Sequence, residues 1–530
     1  MSALPSSPDL SFEKKQAKSL LRAIRAGDAA ALARLTHFLP RAGTGQRVTL
    51  ADAQFVIARE HGFESWPKLK AHIEAARPMA EQAELLLQAV RDDKSGVVAR
   101  LLRAHPELRA FDVFTAAASG SADEVQRLVA ANGADAMRTH TKEEWTPLAY
   151  ACRSRAHLLS VRHAADVHRI VTLLLDAGVS ANSGSVWFEG DGRKVPIPSL
   201  YHACMADHPA LVDLLLARGA NPNDGESTYH AAQFNRQACL EVLRARGADL
   251  SFRQSPYGNT PLYFLAGHQS DEDGQALWFK GFVWLLEHGA DPNVTSYAKA
   301  ESPLHLLSAG FPKLATVDQL LAHGADPNLK RADGRTPYEL AVRHGNAAIA
   351  QRLLDHGADE SGLSTIDRFL GACLAADEQA ARALLDEDPE LLTSLGAHER
   401  SALTDAVAHG HEAAIRLMVG LGFPLDAQAP GGGTALHHAA WQGRVMLVRA
   451  LLEIGAPIDV RDTQFGSSPL GWAAHGSGCH TGRDDDYLVI VDALMGAGAE
   501  RAASFNRWGV PPEGLASPKV AARIKAWAPA

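Results

Sequence analysis

The side chains best suited to chemistry by type and spacing lie in HGSGCHTGRDDDY, which begins at His475. His475 and His480 are imidazoles there, Cys479 is a soft ligand, and Asp484, Asp485 and Asp486 are carboxylates. A metal site needs three or four such groups converging on one point. The intervening glycines give no preorganisation, and three consecutive Asp side chains do not face one way. The segment therefore reads first as a solvated loop. The acidic run Asp271, Glu272 and Asp273 reads the same way. Gly431, Gly432 and Gly433 suggest a phosphate cradle, but they precede Thr434 in a turn and do not join a strand to a helix. His163 and His168 are five residues apart, not the four that align two imidazoles on one helix face. The sequence carries no GxSxG, HExxH, Walker or kinase signature. An enzyme is not expected, nor is a bound cofactor or metal. The open alternative is a small-molecule or metal-dependent activity in an inserted loop, at 475–487 or 182–198.

The elements that would position such groups are bounded by composition. The chain has 530 residues, of which 46% are hydrophobic and 21% charged, so it can bury a large core. A net charge of −9 argues against nucleic-acid binding, which rests on clustered cations. No apolar run approaches a membrane span of about 18 residues, and no signal peptide is read at the N-terminus. Five cysteines without a CxxC pair point to reduced thiols and a cytoplasmic setting.

Internal repetition then dominates. LLLARGANPN at 214–223 returns as LLEHGADPN at 285–293, LLAHGADPN at 320–328, LLDHGADE at 353–360 and LLEIGAPID at 451–459. Looser copies carry Gly133, Gly178, Gly247, Gly422 and Gly498, giving a base period near 33. A second phrase precedes each glycine: TPLAYAC from Thr146, TPLYFLA from Thr260, SPLHLLS from Ser302, TPYELAV from Thr336, TALHHAA from Thr434 and SPLGWAA from Ser468. Thr or Ser before Pro starts a helix, because the hydroxyl caps free N–H groups and Pro suits the first turn. The terminal Gly stops the second helix in a left-handed conformation. Each unit is predicted as turn, short helix, loop, second helix, turn.

These phrases resemble the ankyrin repeat, over roughly residues 82–500 and about twelve units. The resemblance implies an all-α helical solenoid whose inner helices and finger-like turns line a concave face. Residues 14–80, with the AREHGF and SWPKLK phrases, are similar to the leader of bacterial ankyrin-repeat proteins and are predicted as an N-terminal helical cap. The expected domains are a disordered 1–13, the leader 14–80, sub-arrays 81–362 and 363–503, and a C-terminal cap 504–530 with Val520, Ile524 and Trp527 facing inward. Residues 360–364 form the expected seam. Residues 153–167, 267–280 and 475–487 are read as lengthened loops, and 182–198 as an enlarged finger. Cys152, Cys204 and Cys373 occupy a small position of the inner helix, and Cys239 lies in an outer helix; all read as packing residues. In the family, the position of His305 and His437 serves backbone hydrogen bonding between neighbours. His288, His323 and His356 fall at helix C-termini and read as caps.

The functional signal is positional. Fingers and the starts of inter-helix loops carry Trp145, Tyr257, Phe465, Phe234 and Trp441, with Trp187 and Phe188 in the enlarged finger. Exposed aromatics on a rigid face are suited to anchor a partner. Arg343 and His475 occupy equivalent loop positions and would add polar contacts. Trp472 is read as core-facing. The resulting expectation is a monomeric, bacterial, cytoplasmic scaffold. It would bind an unidentified protein on the concave face, without nucleic acid or membrane.

Overall fold

The structure, a computed structural model, describes residues 10–39, 48–75, 78–158, 161–189, 192–253, 258–268, 276–310, 313–429 and 431–527. The chain divides into two compact units, Met1–Ala231 with Ala238–Ala248 and Ala232–Gln237 with Asp249–Ala530. The seam expected at 360–364 lies inside the second unit.

The first unit opens with four helices, Leu10–Arg25, Ala29–Phe38, Leu50–Glu60 and Trp66–Ala75. Thr49 caps the third through a reciprocal pairing with Asp52. Leu20, Leu21, Ile24, Leu35, Val56, Ile57, Leu69 and Ile73 make a core of their own, and the helices pack chiefly on one another. Helix pairs follow at Met79–Arg91 with Ser95–Ala104, Val113–Ala118 with Ala122–Ala131, Pro147–Arg153 with Val161–Asp176, and Ser199–Met205 with Pro209–Ala217. The enlarged finger is an antiparallel hairpin, β1 (Gly184–Phe188) and β2 (Lys194–Pro198), with Gly184 opposite Pro198 and Phe188 opposite Lys194. The pair Ser227–Gln233 with Gln237–Ala245 straddles the boundary between the units. Its inner helix lacks the Thr-Pro start, and Asp224 replaces it by accepting the N–H groups of Glu226 and Ser227, each at 2.8 Å.

The second unit repeats the plan from Pro261–Ala266 with Leu277–Glu287 to Pro469–Cys479 with Asp484–Gly496. Twelve such pairs occur among the described residues of the chain. Thr146, Thr260, Ser302, Thr336 and Ser468 each accept an N–H from the residue three positions on, as the Thr/Ser-Pro reading requires. Gly324 shows why the second helix ends in glycine: at φ +83° it donates to Leu321 O, and Ala325 donates to Leu320 O at 2.9 Å. Gly133 departs from this pattern. Asn132 ends its helix, and Gly133 instead opens a 3-10 turn, Gly133–Met137.

The Asn of the GADPN phrase ties one repeat to the next. Asn293 donates to Gly324 O at 2.9 Å and accepts from Asp326 N at 2.8 Å; Asn328 does the same to Gly357 and Asp359. A missing side chain lets two inner helices approach closely. A Cβ on Gly371 would sit 2.1 Å from Val342 O. A continuous core runs from Phe369 through Leu436, Leu470 and Ile490 to Val520 and Ile524, with Trp527 packed at its edge, so Pro518–Lys525 closes this stack.

Two of the expected loops are helical. Residues 161–167 begin the long outer helix Val161–Asp176, preceded by a 3-10 turn at Arg155–Leu158. Within 475–487, the inner helix extends to Cys479 and the outer helix starts at Asp484. Cys152, Cys204, Cys239 and Cys373 are buried thiols. No helix among the described residues is long and apolar enough to cross a membrane.

Candidate functional site

The segment read first as a solvated loop, with a metal or ligand loop as the alternative, has its carboxylates committed elsewhere. Asp484 accepts from Ser517 Oγ at 2.6 Å, Asp485 pairs with Lys519 at 2.5 Å, and Asp486 pairs with Arg483 at 3.0 Å. These carboxylates sit in the first turn of their helix, where negative charge is favoured, and two of them hold the C-terminal segment. No cluster able to hold a metal occurs among the described residues.

The same region forms a groove of about 570 Å³ in the second unit. Its floor is built by two adjacent inner helices, Ala435–Trp441 and Pro469–Cys479. Gly476 lets them meet, since a Cβ there would lie 2.4 Å from Trp441 O. That carbonyl accepts the Tyr487 hydroxyl at 2.6 Å. With its hydrogen so used, the Tyr487 oxygen accepts from His480 Nδ1 at 2.7 Å, and Nδ1 also faces Gly476 O at 3.0 Å. Both partners are acceptors, so Nδ1 carries the imidazole proton. The oriented ring meets Trp441 edge-on at 5.0 Å and fixes its indole.

A row of rings continues from there. His438 and Trp472 are 5.1 Å apart, Trp472 and Phe465 6.0 Å, and Phe465 and Trp508 6.3 Å. Trp472 is held by its Nε1–H, which donates to Asp462 at 3.0 Å. Asp462 is nearly buried and also accepts the backbone N–H groups of Gln464 and Ser467, each at 2.8 Å. Burial alone would raise this carboxyl, but the converging N–H donors outweigh it and hold its pKa below the ordinary carboxylate value. Burial lowers the His438 pKa, which favours the neutral ring, and His438 Nε2 donates to Gly432 O at 3.0 Å.

The structure therefore brings Trp441, Phe465 and His475 to one groove. His475 is exposed at the groove, and Trp441 and Phe465 are half-buried. Trp472 is also half-buried and lines the groove, which corrects its core-facing assignment. Trp508, 66% exposed, completes it and was missed. The available signal was Gly509 three residues before Pro512, matching Gly334 before Pro337. Asn506–Val510 is in fact a further finger, closed by Asn506 N donating to Val510 O as Arg331 N donates to Arg335 O.

Other expected contact residues do not line this groove. Trp187 is 65% exposed on β1, and Phe188 is half-buried beneath Lys194 Nζ, 5.9 Å from its ring centre. Phe234 is half-buried after its inner helix. Tyr257, like Asp271, Glu272 and Asp273, lies outside the described residues. Two expectations are overturned by burial. Trp145 is only 8% exposed, packed 4.4 Å from His202 and 5.0 Å from Tyr150. Arg343, 7% exposed, is locked between Asp367 at 2.9 Å and Glu399 at 3.0 Å. The histidine readings follow the geometry: His305 and His437 reach Arg335 O and Ser467 O of the next repeat, and His288, His323 and His356 bond the carbonyl four residues back.

A family model described as ankyrin repeats (3 copies) matches residues 274–361 and 370–462, and an ankyrin-repeat model matches 199–227. The chain thus carries ankyrin repeats over these residues. It is 43% identical over 87 residues to the ARF GTPase-activating protein Git of Drosophila melanogaster, covering 16% of this chain and 12% of that protein. It is 29% identical to mouse Rabankyrin-5 over 30% of this chain and 14% of that one. It is 28% identical to the putative ankyrin repeat protein YahD of Escherichia coli K12, over 37% of this chain and 96% of YahD. The ankyrin repeat domain of human ASB11 is 27% identical over 43% of this chain, with a TM-score of 0.29. The chain thus spans a small part of the longer relatives it matches.

Proposed function

We propose that the protein is a non-enzymatic protein–protein interaction scaffold, and that its partner docks on the inner-helix and finger side of the second unit, the concave face of such a stack. The supporting observation is the row of Trp441, Trp472, Phe465 and Trp508 along one groove. Such a cavity lies in the roughly 300–1,000 Å³ range of binding clefts. Trp472 and Trp441 are held before binding by Asp462 and His480, which limits the ordering entropy lost on association. The match to bacterial YahD and the free thiols favour a bacterial, cytoplasmic setting.

The test places a photoreactive phenylalanine at position 508 in one version of the chain and at position 446 in another. Met446 is equally exposed, at 65%, but lies on an outer helix. A partner protein should crosslink from 508 and not from 446. Equal yields from the two positions, or crosslinks from 446 alone, would remove the groove from the reading.

A further inference from the structure

We infer that the groove's occupant is a proline-rich segment of the partner in polyproline II conformation; this rests on the scaffold reading and names its ligand. Three observations converge.

The first is charge. Among the groove-lining residues there is no carboxylate, ammonium or guanidinium, only the imidazoles of His438 and His475. Arg507 lies over the Trp508 ring at 5.8 Å, at the groove's edge; elsewhere a charged peptide side chain would enter without a counter-charge, so a largely neutral segment is favoured.

The second is the balance of donors and acceptors. Several acceptors at the groove are already used. Asp462 takes Trp472 Nε1–H and backbone N–H groups, Trp441 O takes the Tyr487 hydroxyl, and Gly432 O takes His438. Asn506 Oδ1 takes the N–H groups of Trp508 and Val510. Spare donors remain: Nε1–H of Trp441, Nε1–H of Trp508 and Nδ2 of Asn506 have no acceptor among the described residues, and the Ser467 hydroxyl has no partner there either. An extended strand of ordinary residues brings N–H groups, and the acceptors left for them here are few. Proline brings carbonyls without N–H groups, and the polyproline II backbone leaves those carbonyls free.

The third is shape. Fixed aromatic rings spaced at 5.1, 6.0 and 6.3 Å present ridges against which pyrrolidine rings pack. Aromatic-lined grooves with indole donors are a recurring solution to polyproline II recognition, because the ligand is already extended and loses little entropy.

The experiment selects a phage-displayed random dodecapeptide library on the full chain, with counter-selection on Trp508→Ala. Trp508 is exposed, so this variant keeps its fold; unchanged circular dichroism and urea midpoint confirm it. The consensus peptide is then titrated in solution into the wild type, Trp508→Ala and Trp441→Phe. The last keeps a ring but loses a donor. The expected consensus is proline-rich, with binding lost on Trp508→Ala and weakened about fivefold on Trp441→Phe, as for one hydrogen bond. A groove-dependent consensus without proline, or a proline-rich one indifferent to both variants, overturns the inference and leaves the scaffold reading standing. Failure of any peptide to depend on Trp508, together with equal crosslinking from 508 and 446, overturns both.

Discussion

Replacing Arg343 by Met tests whether this residue is a packing element or a partner contact. Its guanidinium donates to Asp367 at 2.9 Å and to Glu399 at 3.0 Å, and side-chain exposures are 8%, 6% and 20% in that order. Removing one member of a buried pair costs about 3–5 kcal/mol, because the other charge is stranded. Here Asp367 is not stranded: it keeps Arg335 at 2.6 Å and the Ser364 hydroxyl at 2.6 Å. Glu399 alone loses its cation, and its partial exposure lets water return. Met retains most of the aliphatic packing. The expected loss is therefore about 2–3 kcal/mol, below the full figure for a stranded pair. The assay is equilibrium urea unfolding of the full chain, followed through tryptophan emission. In a repeat stack, stability is a sum of local and nearest-neighbour terms. The loss should therefore move the transition of the second unit and leave the binding of any groove ligand unchanged. Adding Glu399→Gln to the Met variant should recover part of the loss, since the stranded charge is then gone. A change below about 0.5 kcal/mol, the range of ordinary surface substitutions, combined with weakened partner binding, would refute the structural assignment of Arg343.

Further outcomes follow from other contacts. Tyr487→Phe leaves Trp441 O without its 2.6 Å donor and should cost about 1–3 kcal/mol in urea unfolding, as for a buried unsatisfied carbonyl. It should also weaken groove binding by loosening the Trp441 indole, and wild-type affinity would contradict the positioning role given to His480 and Tyr487. Gly371→Ala places a Cβ on Val342 O, at 2.1 Å, and should cost at least about 1–3 kcal/mol; a neutral change would mean that the two inner helices part freely. Burial lowers the His437 pKa to about 4, below its unfolded value, so the unfolded chain takes up the proton first. Its contribution is complete above about pH 6.5 and is lost as pH falls towards about 4, a span worth at most roughly 3 kcal/mol. His437→Gln should flatten the urea midpoint against pH across that window, and an unchanged slope would contradict the shift. A chelator should leave the unfolding midpoint unchanged, because Asp484, Asp485 and His480 are held by Ser517, Lys519 and Tyr487; a fall in the midpoint would reopen the metal reading.

The repeat plan was legible because each of its signals acts locally. Thr336 caps its own helix, Gly324 ends its own helix, and Asn293 reaches only the adjacent turn. The same locality explains the misread loops. The sequence marks where residues are inserted, but Val161–Asp176 and Pro469–Cys479 absorb theirs by lengthening helices, and glycines within 475–479 gave the opposite impression. Arg343 was misread for a different reason. Its partners Asp367 and Glu399 come from later repeats, 24 and 56 residues away, and nothing in its own repeat announces them.

The two finger tryptophans show what decides between packing and contact. Trp145 and Trp508 occupy comparable turns, and the sequence around each gives no reason to separate them. Trp145 is covered because the inner helix of the following repeat, Ser199–Met205, supplies His202 against its ring. The inner helix following Trp508 is cut to four residues, Pro512–Leu515, and the chain turns at once into the closing helix Pro518–Lys525. The closing helix seals the aliphatic core through Val520 and Ile524, and the shortened helix supplies no ring over the last finger. The groove is thus a consequence of how the stack stops. Closing the core and covering the finger are separate tasks, and among the described residues only the first is performed. The aromatic row from His438 to Trp508 is what remains uncovered, and aromatic surface held rigid yet left open is suited to an external ligand.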